Sequence, residues 1–162
     1  METTHPVFGT LAPDDLDRLT AAKTIRFAGR DTAVTISFQD EEIPEAYSRT
    51  YAALTENLDS IAAEILRAIR EYQHKHHHDS GHTASFPRFE TDADVLAHTA
   101  LFELALCGEL PGVAARPEDG GEPGRYAVLL FSADWVGDDY RVLSVALANE
   151  RVVCVTDQSI LE

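Results

Sequence analysis

The chain has 162 residues, 44% of them apolar, which is enough for one domain with a sizeable hydrophobic core. Its 28 acidic residues against 13 basic ones leave a formal charge of −15, which argues against nucleic acid or an anionic membrane as partner, since both need clustered Lys and Arg. No run nears the ~20 consecutive apolar residues of a membrane span, and residues 1–5 lack the basic-then-apolar order of a secretory signal.

From His5 to Leu11 the chain reads as a short opening strand that ends before Pro13. Asp14-Asp15 marks a turn, and the stretch on to Ala22 suits either a helical turn or a strand. Alternation is clear after that. Ile25 and Phe27 share one face, and Val34, Ile36 and Phe38 share another beyond Ala28-Gly29-Arg30-Asp31. Two period-2 runs around a Gly-containing turn predict a β-hairpin.

Asp40-Glu41-Glu42 then precedes Pro44, acidic residues and a proline that suit the first turn of a helix. Tyr47, Tyr51, Leu54, Leu58, Ile61, Ile65, Ile69 and Tyr72 follow at steps of 4, 3, 4, 3, 4, 4 and 3, the spacing of one helix face. The spacing predicts a long amphipathic helix over about 44–74, with a bend expected at 57–60 where helix-weakening residues gather. Such a face also suits a coiled-coil homodimer. Packing on the chain's own sheet is the expectation, because helices in proteins draw most of their stability from an amphipathic face meeting a core.

Gly81 and Pro87 stop that helix. Thr91-Asp92-Ala93-Asp94 resembles a capping box and opens a short helix over about 91–98. The run 100–107 alternates as a strand, with a continuing helix as the alternative. Residues 111–124, rich in Gly, Pro and acid, read as a long surface loop. The run 125–133 is apolar on both faces and belongs centrally in a sheet, while 140–148 and 151–156 flank a tight Asn149-Glu150 turn. The architecture is α+β: one domain over 1–162, a mostly antiparallel β-sheet packed against one long helix.

Two constellations carry chemical potential. His74, His77 and His78 fall three and four apart, and His82 lies close enough to fold back, so the four are a candidate zinc or nickel site. The structural reading is that histidines at a helix C-terminus complement its dipole and cap its carbonyls. The second constellation is the Asp134-Trp135-Val136-Gly137-Asp138-Asp139 loop, with Glu118-Asp119 as a further acidic pair. Its carboxylates do not meet the calcium-loop pattern. Trp135, the only tryptophan, fits a lid over the core edge or a contact with a partner. Cys107 and Cys154 sit in apolar, strand-like runs, which marks them as small core residues in a reducing cytosol. No phosphate loop or dinucleotide fingerprint occurs, and no His or Asn stands beside Cys107 as a catalytic partner would.

Phe8-Gly9-Thr10-Leu11 near the start and Phe131-Ser132-Ala133-Asp134-Trp135 near the end resemble the motifs of a group of uncharacterised small bacterial domains. Those domains open on a Phe-Gly-x-Leu strand and close on a hairpin with Phe-x-x-Asp-Trp-Asp. Here Val136 replaces the Asp after Trp, and the Glu-His-Gly that usually follows is absent. The resemblance implies no catalytic residues. Its similarity to immunity proteins implies a binding role. The function expected is therefore a non-enzymatic, acidic, cytoplasmic protein that binds a basic partner, such as a toxin domain. Asp134, Trp135, Asp138, Asp139, Glu118 and Asp119 are its candidate contact residues.

Overall fold

Eight strands lie side by side in the order in which the chain makes them, and the long helix covers one face of that sheet. The structure is a computed structural model that describes residues 3–40, 42–77, 86–110, 124–136 and 141–157. The elements are β1 (Thr3–His5), β2 (Gly9–Pro13), β3 (Leu19–Phe27), β4 (Arg30–Phe38), α1 (Glu45–His76), α2 (Asp92–His98), β5 (Thr99–Cys107), β6 (Tyr126–Ala133), β7 (Val142–Ala148) and β8 (Arg151–Thr156). Every neighbouring pair is antiparallel except β4 and β5, which run parallel with Thr35 opposite Glu103 and Phe38 opposite Leu106. A parallel pair needs a crossover, and α1 with α2 supplies it.

The α+β class, the long helix and the short helix are as the sequence predicts. The opening differs. Instead of one strand over 5–11, the chain folds β1 back on β2, because the His5 ring accepts the Val7 N–H on Nδ1 at 3.1 Å and Gly9 adopts φ +76°. The ambiguous stretch after Asp14 is a turn and then a strand. Asp14 Oδ1 accepts the Leu16 and Arg18 N–H groups, both at 2.9 Å, and β3 begins at Leu19. Ala28-Gly29 alone forms the β3–β4 turn, at φ +52° and +77°, and Asn149-Glu150 turns β7 into β8 at φ +50° and +60°. Pro44 stands just outside α1 as its N-cap, with extended backbone, and its carbonyl accepts the Tyr47 N–H at 2.9 Å.

The helix runs unbroken for 32 residues, ~48 Å at ~1.5 Å per residue. It passes through 57–60 without interruption because those polar side chains bond to its own carbonyls: Asn57 Nδ2 to Ala53 O and Ser60 Oγ to Asn57 O, each at 2.7 Å. Tyr47, Leu54, Leu58, Ile65 and Ile69 are buried on the predicted face, while Tyr51, Ile61 and Tyr72 sit at its margin and Ala62, Leu66 and Gln73 join it. This face meets Ile25, Phe27, Ile36, Phe38, Leu104, Leu129, Phe131 and Leu143 in the main core, so the apolar stripe is covered by the chain's own sheet. Full burial of each such aliphatic side chain contributes roughly 1.5–3 kcal/mol. Thr91 caps α2 in a complete capping box: its side chain accepts from Asp94 N–H at 3.2 Å, and Asp94 accepts from Thr91 N–H at 3.0 Å.

The other sheet face is covered only in part. Ala105, Cys107, Leu110, Tyr126, Val128 and Ala146 make a second, smaller cluster there. Towards the start of β5 the same face is open: Ala100 and Ser132 are exposed and Phe102 is 38% exposed.

Candidate functional site

The exposed end of β5 and β6 forms a cleft of about 350 Å³. It is lined by Ala100 and Ser132, which pair across the two strands, by Arg141, and by Leu96 to His98 at the end of α2, where His98 and Asp134 together make one wall. The wall is built by a tight turn after β6, where Val136 N–H donates to Ala133 O at 3.2 Å and Asp134 N–H to His98 O at 3.4 Å. That turn sends Asp134 outward and Trp135 inward.

Asp134 Oδ2 accepts from His98 Nδ1 at 3.1 Å, and its side chain is 51% exposed. The His98 ring lies flat on Phe89, 5.6 Å between centroids at 4°, and meets Phe86 edge-on at 5.4 Å. The imidazole is thus oriented by a carboxylate and two aromatic rings, which makes a fixed hydrogen-bonding group at the mouth of a small polar-rimmed cleft. Ser132, the hydroxyl on the floor, turns to Ala100 O at 3.5 Å.

Trp135 leaves the set of candidate partner contacts. It is 1% exposed, donates from Nε1 to Thr99 Oγ1 at 3.0 Å and packs edge-on against Phe89 at 5.7 Å. It is a core residue rather than an exposed anchor. Asp134 is on the surface as expected. Asp138, Asp139, Glu118 and Asp119 lie outside the described residues, as do His78 and His82.

The two described histidines of the cluster hold the backbone of 86–90 against α1. His74 Nε2 donates to Phe89 O at 2.6 Å and His77 Nε2 to Phe86 O at 2.8 Å. A carbonyl oxygen can only accept, so each Nε2 carries its proton and the lone pair of each ring is on Nδ1. Arg70 Nη1 reaches Glu90 O at 3.2 Å and Gln73 Nε2 reaches Pro87 O at 3.0 Å, so positions 70, 73, 74 and 77 grip the segment from one helix face. Among the described residues, no three His, Cys, Asp or Glu side chains converge as a metal site would require.

The described acidic loop residues divide between the two ends of the sheet. The Asp14–Arg18 turn adjoins the end of β4 and hence Asp40, because Thr20 pairs with Ser37; Glu109 follows the parallel β5 to the same end. Asp134 lies at the opposite end. Asp40 accepts from the Tyr47 hydroxyl, and burial, reinforced by that carboxylate, pushes the Tyr47 pKa well above the ordinary tyrosine value. Burial, with Asp40 adding to it, also pushes the Cys107 thiol up to about 12, which makes it a poor nucleophile.

No helix among the described residues is long and apolar enough to cross a membrane. A family model whose description reads domain of unknown function, DUF6985, matches residues 7–161. No curated protein and no solved structure matches the chain.

Proposed function

The chain belongs to the DUF6985 family, and from that premise we propose that it is a non-enzymatic binding protein for a basic protein partner, of the kind an immunity protein neutralises in a toxin domain. The supporting observation is how its own cations are placed. Arg18, Arg26, Arg67, Arg70, Arg125 and Arg151 each pair with a carboxylate of the same chain. The excess acid is therefore left to solvent, with Asp15, Asp17, Glu42, Glu45 and Glu109 exposed at one end of the sheet and Asp134 half-exposed at the other.

A surface of one sign speeds encounter with a partner of the other. Cys107 is buried, and the Tyr47 hydroxyl is bonded to Asp40. The setting expected is the cytoplasm, where two unpaired thiols persist. The test is association kinetics with the protein encoded by the neighbouring gene. Its association rate should fall by about tenfold or more from low salt to ~0.5 M. A rate indifferent to salt, or the absence of a complex, would overturn the reading.

A further inference from the structure

We draw no further inference here: the strongest candidate, the exposed patch of small uncharged side chains on the helix-free face of β3 and β4, where Ala22 pairs with Thr35 and Thr24 with Ala33, carries nothing because nothing in the structure shows what covers it.

Discussion

Gln73 and Phe89 are joined by a hydrogen bond of 3.1 Å from the Phe89 N–H to Gln73 Oε1, with the glutamine wholly buried. The same side chain donates to Pro87 O, so one amide group satisfies both directions of a backbone that has left regular structure.

Gln73→Leu keeps the volume and removes both bonds. Phe89 N–H is then buried without a partner and the part-buried Pro87 O loses its donor, at a cost of about 1–3 kcal/mol. A lower urea midpoint at unchanged slope will report it. His74→Ala should cost about 1 kcal/mol, because only one partly buried bond is lost.

Trp135→Ala is expected to cost about 3–5 kcal/mol, in the range for deleting a buried aromatic side chain. It also leaves Thr99 Oγ1 without its donor. As the only tryptophan, Trp135 should emit at short wavelength in the folded chain and shift to the red on unfolding. Native emission at the wavelength of a solvated indole would contradict the buried position.

The two thiols should separate kinetically. Cys154 is exposed, and Cys107 is both buried and raised to about 12. A disulfide reagent at neutral pH should titrate one thiol quickly in the native chain and the second only in denaturant. Fast reaction of both would mean that the end of β5 opens readily.

Asp94 carries a pH dependence with a definite sign. The Glu90 and Thr91 N–H groups hold its carboxyl below the ordinary value of 3.8. A depressed pKa in the folded state means that the stabilisation is complete above 3.8 and is lost as pH falls through the depressed value. Melting temperatures measured from pH 5 down to about 2 should therefore fall less steeply for Asp94→Asn than for the parent chain.

What the sequence discloses follows the range of the forces involved. The helix over 45–76 and the Thr91–Asp94 capping box are local patterns, and both are legible. The β1–β2 turn is not, because it depends on a histidine ring standing in as an acceptor for backbone N–H groups. The parallel β4–β5 pairing is also hidden, since apolar alternation says nothing about which strand lies alongside. At the site, Asp134 stands out as an acid in a hairpin loop, but its partner His98 is 36 positions away and carries no mark of the relationship. The carbonyls that His74 and His77 meet leave no mark in the sequence either, because every residue possesses one.

The residues behind the resemblance have a structural meaning. Phe8, Leu11, Phe131 and Trp135 are each 1–3% exposed, and Gly9 makes the first turn. These motifs preserve a core, so they carry no information about which partner the surface meets.

The lone parallel pair has a kinetic consequence. Every other pairing is antiparallel and spans 18 intervening residues or fewer, against 60 between Phe38 and Thr99, and short hairpins close in microseconds. β4 and β5 meet only after α1 and α2 have been spanned, so their pairing carries the largest loop-closure entropy in the sheet. Two four-stranded halves that zip up early and then wait for each other would set the folding rate by their joining. Substitutions at Ile36 or Leu104, which pair across that seam, should slow folding more than they speed unfolding.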